Sequence, residues 1–434
     1  MNERQWVVQV AGCVLDSQTV MLEPCSLIIE NGRIAEIQKG YHNPSLLAAP
    51  VFRRHNHIAM PGLVNSHGHA AMTLLRGAGD DMPLMDWLNT RIIPLEDKLT
   101  GDAIYYGTLL ASWEMLRSGT TCFTDMYFQM NDAARAVAES GIRGVLSWGM
   151  IGLSEDAAIN GIRNSRQFIK DWRGQADGRI TVTLGPHAPY TCPPDYLRQI
   201  SELSAELDVP IQIHLCETAI EVSNSYDYFH ASPIEHVRNC GLLDRPVLAA
   251  HCVHITEADM DIMAEHDVRV AHNPQSNLKL ASGIAPVIQM QQKGLTVGLG
   301  TDGAASNNNL DMFEELRLCA TLHKGISGDA TVIPAAMAFD MATTGSAACC
   351  FLGNNHGTLH VGAPADIAFV TLDSPHMHPQ FDVISNLVYA VGADDVTDVM
   401  VGGRLVLAKG EPCFIDVERL LFEVRKIEEH LKHV

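Results

Sequence analysis

The sequence predicts a parallel (β/α)8 barrel of the TIM type, joined to a discontinuous β-sandwich domain built from the two ends of the chain. Three observations lead there. Eight short apolar runs between residues 62 and 299 alternate with helix-compatible segments, and parallel strands require such crossovers. Before residue 60 and beyond about 355 the patterning is that of strands and tight turns. Histidines and acids recur at the C-terminal ends of the apolar runs, the end at which a barrel of this kind presents its reactive groups.

Bulk properties narrow the class. With 434 residues the chain exceeds one small core, so a large domain (61–359) and an accessory one (1–60 with 360–434) are expected. A hydrophobic content of 47% indicates a globular protein. The formal net charge of −21 argues against nucleic acid or an anionic membrane as partner. The opening Met1-Asn2-Glu3-Arg4-Gln5 carries no apolar signal core, and no apolar run reaches membrane-spanning length. Eleven cysteines without C-x-x-C spacing read as reduced, mostly buried thiols, so a cytoplasmic protein is expected.

Taken in order, Trp6 to Val10, Val20 to Leu22 and Leu27 to Ile29 are short strands, and Glu30-Asn31-Gly32-Arg33 is a hairpin turn because Asn-Gly accepts positive φ. A Pro61-Gly62 turn follows. Barrel strands are expected over 62–66, 120–125, 143–147, 180–184, 210–215, 246–250, 268–271 and 295–299. Helices are expected over 102–117, 132–139, 156–172, 194–207, 233–239, 257–265 and 286–293. Strands return at 367–371, 399–401 and 405–408, the last two about Gly402-Gly403, and a charged helix covers 416–431.

The strand ends carry the chemistry. Val64-Asn65-Ser66-His67-Gly68-His69 reads as a buried strand closing on two histidines whose i, i+2 spacing projects both to one face. A second pair, His55-Asn56-His57, lies beside Arg53 and Arg54 in a polar approach segment and is set aside. The fourth strand ends in His187, the fifth in His214 with Glu217 three residues on, the sixth in His251, the seventh in His272 and the eighth in Asp302. A catalytic divalent ion needs three or four N/O donors and an open position. His67, His69, His214 and Asp302 supply them, a set that suits Zn2+, with Fe2+ as the alternative. The fourth strand offers His187 rather than a lysine that carbamylation would turn into a bridge, so a single ion is expected. His254 reads as a loop histidine, His272 as a pocket-lining or loop-bonding one, and Asn277 and Lys279 as parts of a loop network.

The runs P-G-L-V-N-S-H-G-H, H-L-C-E-T, H-C-V-H, H-N-P-Q-S-N-L-K-L-A-S-G-I-A-P-V and G-L-G-T-D-G-A-A-S-N-N, with the later G-x-P-A-D-I-A-F-V segment, resemble the amidohydrolase superfamily. Within it the sequence is most similar to the 5-methylthioadenosine/S-adenosylhomocysteine deaminases. That resemblance implies hydrolytic deamination of an adenine nucleoside to the inosine analogue and ammonia, by hydroxide generated at the metal attacking C6. It assigns Glu217 to shuttling protons, His251 to orienting the attacking group and stabilising the tetrahedral oxygen, and Asp302 to taking the water's proton as well as ligating. Trp87 and Glu96 match positions that hold the nucleoside, Glu96 on the ribose hydroxyls and Trp87 on an apolar face, His187 matches a substrate contact, and Trp148 and Glu217 are expected to contact the substrate as well.

One stretch departs from the family. Gly141-Ile142-Arg143-Gly144-Val145-Leu146-Ser147-Trp148-Gly149 has Trp148 where relatives that grip the homocysteine carboxylate resemble G-x-R-x-x-L-x-R-G. Losing that guanidinium removes a charge-assisted contact, so the methylthio nucleoside is expected as the better substrate unless Arg163 or Arg166 substitutes. The alternative activity is deamination or dechlorination of another N-heterocycle of guanine, cytosine or triazine type. A barrel scaffold without catalysis is disfavoured because every expected ligand is present. The partner expected is a small-molecule nucleoside, and a homo-oligomer is compatible with the barrel's outer helices.

Overall fold

The computed structural model describes residues 6–42 and 49–432; Met1 to Gln5, read above for a targeting segment, lie outside them. The N-terminal strands are β1 (Trp6–Val14), β2 (Val20–Met21), β3 (Cys25–Glu30), β4 (Arg33–Lys39) and β5 (Val51–Pro61). The barrel follows with β6 (Leu63–Asn65), β7 (Thr120–Tyr127), β8 (Arg143–Met150), β9 (Ile180–Pro186), β10 (Ile211–Leu215), β11 (Val247–His251), β12 (Arg269–His272) and β13 (Val297–Leu299). The chain returns through β14 (Ile367–Thr371), β15 (Val396–Val401), β16 (Arg404–Ala408) and β17 (Glu411–Pro412).

The terminal strands form one nine-stranded mixed sheet in the order β17-β16-β15-β14-β5-β1-β3-β4, with β2 on β1. The expected sandwich is therefore realised as a single continuous sheet. β5 is its seam, parallel to β1 and antiparallel to β14. This strand was missed in the sequence because Arg53, Arg54, His55 and Asn56 break its apolar alternation. The structure uses these groups within the sheet. Arg54 pairs with buried Asp398 at 2.6 Å, His55 stacks on Tyr41, and His57 Nε2 lies 2.8 Å from Thr397 Oγ1. The hairpin after β3 has φ of 52° at Asn31 and 77° at Gly32, as the Asn-Gly pair predicts.

The eight barrel strands run β6 to β13 in sequence order, every adjacent pair parallel. Ser66 draws the first and last together: its N–H and hydroxyl both donate to Leu299 O at 2.8 Å. Pro61-Gly62 is a hand-over between the two sheets rather than a turn within one, since Pro61 still pairs with Ile367 while the Leu63 N–H already bonds Gly119 O. Only glycine fits at 62, because a Cβ there would lie 2.1 Å from Thr121 Cγ2. The crossing is pinned by Arg143 of β8, whose guanidinium grips Asp366, just before β14, with three contacts of 2.9 to 3.1 Å.

The helices predicted between the strands form, several opening on a side-chain cap: Thr100, Ser154, Ser232 and Thr256 each accept an N–H from the first turn. Among the helices not read from the sequence, two are long. Ala219–Phe229 buries only Glu221 and Ser225, so it has no apolar stripe to detect. Met312–Ser327 carries Glu315 and His323 on its buried face, which interrupts the stripe it does have. No helix among the described residues is long and apolar enough to cross a membrane.

Candidate metal centre and active site

The first barrel strand ends at Asn65, so His67 and His69 lie in the loop beyond it rather than on one strand face. Their rings stand nearly perpendicular, at 85° with centroids 5.0 Å apart. Convergence comes from the loop's anchoring. Asn65 Nδ2 donates to Thr301 Oγ1 at 2.7 Å, the Asp302 N–H bonds His67 O at 3.0 Å, and the Ala70 N–H bonds Asp125 Oδ1 at 3.1 Å. Left-handed backbone at non-glycine residues gathers nearby, with φ of 54° at Cys216, 72° at His251, 48° at Cys252 and 63° at Asp302. Strain of this kind persists where surrounding structure enforces it, characteristically at functional sites.

Hydrogen bonds assign the tautomers. His69 Nδ1 lies 2.7 Å from Met126 O and His214 Nδ1 lies 2.7 Å from His187 O. A carbonyl only accepts, so both Nδ1 atoms carry the proton and both neutral Nε2 atoms present lone pairs. Those two Nε2 atoms face each other at 3.3 Å. Asp302 Oδ1 is 3.3 Å from His69 Nε2 and 3.5 Å from His67 Nε2, which is buried with no hydrogen-bond partner. Acceptors aimed at acceptors repel unless a cation lies among them. Tetrahedral bonds of about 2.0–2.1 Å set donors about 3.3–3.4 Å apart, the spacing seen here. The residues present therefore fit a divalent ion.

Charge supports the fit. Burial holds His67 down at about 4, and burial with the neighbouring imidazoles puts His214 well below the usual range, so both stay neutral. Burial alone would raise Asp302, but the surrounding histidines outweigh it and keep the carboxyl ionised, well below its usual range. Ser276 Oγ at 2.6 Å and Ser306 Oγ at 3.1 Å donate to its Oδ2, and the Gly303 N–H donates to Oδ1 at 2.8 Å. The serines escaped the sequence reading because hydroxyls give no pattern of their own.

Glu217 and His251 sit beside this set. Glu217 Oε2 is 3.8 Å from His251 Nε2, and Ser282 Oγ is 3.4 Å from Oε1. Burial raises the Glu217 pKa against the pull of His251. His251 Nδ1 is 2.8 Å from Asn277 Oδ1, which leaves Nε2 facing Glu217. Burial would lower the His251 pKa, but the Glu217 and Asp302 carboxylates outweigh it and raise it. The donor atoms of His67, His214 and His251 also lie within 4.8 Å of one another, as do those of His67, His69 and Asp302.

At the positions expected to contact the substrate, Glu96 Oε1 accepts the Tyr127 hydroxyl at 2.6 Å, and the Tyr127 ring centroid is 6.3 Å from that of His69. Tyr127 was not singled out because its strand was read as ending at Asp125. Trp87 is buried on a short helix, its Nε1 without a partner. His187 Nδ1 bonds Thr191 Oγ1 at 2.9 Å, its ring is 5.0 Å from that of His214, and burial lowers its pKa to about 4. Ser147 points inward, accepting from Gln212 at 2.7 Å. Its neighbour Trp148 therefore lies on the opposite face of β8, packed against Phe168 of the helix Glu155–Trp172 at 6.4 Å, so the substrate contact expected of Trp148 is not made. Arg166 pairs with Glu206 at the surface.

His254 and His272 lie outside this set. His254 Nε2 bonds Ser282 O at 2.6 Å, the loop role expected of it. Lys279 bridges to Asp80 at 2.5 Å, while Asn277 does more than brace its loop, since its side chain holds His251. His272 faces His323 of the helix Met312–Ser327, Nε2 to Nε2 at 3.4 Å, with Cys319 in the same buried group.

Residues 58–406 match the model of the amidohydrolase family. A 5-methylthioadenosine/S-adenosylhomocysteine deaminase of Desulforamulus reducens is 46% identical over 413 residues, 95% of each chain. The deaminase of the same description from Desulforudis audaxviator is 50% identical over 374 residues, 86% of this chain and 87% of that one. Among solved structures, a zinc-bound adenosine deaminase from Xanthomonas campestris superposes with a TM-score of 0.92 at 34% identity, covering 99% of both chains.

Proposed function

Because this chain belongs to the amidohydrolase family, we propose that it is a metal-dependent hydrolase that deaminates adenine nucleosides, 5'-methylthioadenosine and S-adenosylhomocysteine, to the inosine analogue and ammonia. The observation that carries the reading is the convergence of imidazole lone pairs on an ionised carboxylate, directly beside the Glu217–His251 pair. His67, His69, His214 and Asp302 would hold one divalent ion, Zn2+ before Fe2+. His251 is left outside the ligand set because its Nε2 faces Glu217. When bound, the ion supplies Lewis acidity that brings the pKa of a water near neutrality.

The side chains divide the remaining work. Asp302, kept ionised by its neighbours, takes the water's proton. Glu217, its pKa raised by burial, carries a proton to ring N1 and then to the departing ammonia. His251, its pKa raised by two carboxylates, donates through Nε2 to the oxygen that gains charge as C6 becomes tetrahedral. Glu96, oriented by Tyr127, accepts the ribose hydroxyls, while Trp87 and His187 border the nucleoside. Trp148 packs outward on Phe168, Arg163 is exposed and Arg166 is engaged by Glu206, so no arginine is assigned to a homocysteine carboxylate, and the methylthio nucleoside is the better substrate. The division of the chain at residues 61 and 359 belongs to the same proposal.

Ultraviolet spectra of metal-loaded protein with methylthioadenosine, S-adenosylhomocysteine, adenosine and guanine offered separately test this. A shift from the adenine to the hypoxanthine spectrum is expected, faster with methylthioadenosine. Equal efficiency on S-adenosylhomocysteine would contradict the specificity argument. Silence on every adenine nucleoside with metal bound would move the activity to other N-heterocycles.

A further inference from the structure

Glu221 lies in the first turn of the helix Ala219–Phe229, 8% exposed, four residues beyond Glu217. Thr218 and Glu221 have capping-box spacing, in which the glutamate ordinarily bonds the N–H of the capping residue itself. Here Thr218 Oγ1 does accept the Glu221 N–H at 3.2 Å, so the helix start is served. The Glu221 carboxylate reaches further back. Its Oε1 accepts the Cys216 N–H at 2.9 Å and its Oε2 accepts the Glu217 N–H at 2.8 Å.

Those two amides belong to the segment that turns the chain from the ligand His214 to the proton carrier Glu217. Cys216 occupies the left-handed region there, φ 54°, a conformation a cysteine does not adopt by preference. The same residue ties the segment to its neighbour: Cys216 O accepts the N–H groups of Val253 at 3.0 Å and His254 at 2.9 Å, and Leu215 O accepts that of Cys252 at 3.0 Å. The carboxylate thus holds, from below, the segment that carries Glu217 alongside the one that carries His251.

We propose that Glu221 is a positioning residue for the reaction: its two oxygens fix the Cys216–Glu217 backbone and so aim the Glu217 carboxyl at the substrate beside His251. The inference rests on Glu217 being the proton carrier. Glu221→Gln replaces one acceptor oxygen with an NH2 group that faces an N–H and cannot accept from it, while leaving size and burial nearly unchanged.

The test is a double-mutant cycle on the full, metal-loaded chain, with kcat and KM for methylthioadenosine and metal per chain measured for wild type, Glu221→Gln, Glu217→Gln and the double variant. Misaiming a reacting group by a fraction of an ångström predicts a fall in kcat of about 10- to 100-fold for Glu221→Gln, with KM within about twofold and metal retained. In the Glu217→Gln background the same change should have almost no further effect on kcat, because there is no carboxyl left to aim. An equal fall in both backgrounds, or a fall that tracks lost metal, would make Glu221 a support of the fold and overturn the proposal. A near-normal Glu217→Gln single variant would overturn the role of Glu217 as well, and is read from that variant alone. Should Glu221→Gln fail to fold, Glu221→Asp, which keeps the charge but loses the reach, completes the same cycle.

Discussion

His67 and His69 meet Asp302 at the C-terminal ends of the barrel strands, with His214 facing His69, and His272 meets Cys319 and His323 at the end of β12. Both groups are almost wholly buried and both bring imidazole nitrogens to the same separation, 3.3 Å in one and 3.4 Å in the other. Distance does not distinguish them. The far side of each ring does. In the first group two Nδ1 atoms donate to carbonyls, which forces the Nε2 lone pairs together. In the second, His272 Nδ1 has no partner, so nothing prevents one Nε2–H from donating to the other Nε2. Charge separates them too. Asp302 is held ionised, whereas burial with the nearby Glu315 pushes the Cys319 thiol up to about 12 and leaves it neutral. A metal site is thus recognised by what fixes its ligands' protons, as much as by the ligands.

The largest effect expected is at Asp302. Asp302→Asn keeps the shape but removes the charge and the base, so turnover should vanish even where some metal remains. Elemental analysis alongside the spectroscopic assay checks this, and near-normal turnover would refute the assignment. Glu217→Gln comes next. It should retain one ion per chain and lower kcat by at least ~10²-fold, the low end for general acid–base catalysis; metal loss would make Glu217 a ligand instead.

A smaller effect is predicted one layer out. Ser276→Ala removes the 2.6 Å hydrogen bond that orients Asp302, and chelator competition should show metal binding weakened by roughly 10-fold. Unchanged affinity would mean that Ser306 and the Gly303 amide suffice.

Acid should act on both groups. His67 and His323 have folded pKa values of about 4, below the 6.5 of a free histidine, with burial the main cause in each. Their contribution to stability is full above pH 6.5 and is lost as pH falls from there towards 4, because the unfolded chain takes up protons first. Chelated protein should therefore melt at progressively lower temperature over that window, and His323→Gln should flatten the dependence without touching metal content. A melting temperature independent of pH between 6.5 and 4 would contradict the buried neutral histidines.

Much of this was legible in the sequence for definite reasons. The eight barrel strands announce themselves because each is a short apolar run bounded by polar residues, and their C-terminal ends carry His214 and His251, with Asp302 shortly past the last. Other features were hidden. β5 was lost because its charged residues pair within the sheet, and the helix Met312–Ser327 because it buries Glu315 and His323. The H-x-H pair was noticed for a strand geometry it does not have, since both histidines lie past the strand end. Ser276, Tyr127 and Glu221 emerge only in three dimensions, as partners of residues far away or on elements without periodicity.

The comparison between the two groups is tested most directly by counting metal. Elemental analysis of fully loaded wild type, His214→Ala and the Cys319→Ser/His323→Gln double variant is predicted to give one ion per chain, a marked loss, and one ion per chain. Two ions in the wild type, falling to one in the double variant, would show that the second group binds metal after all and that proton partners do not separate the two.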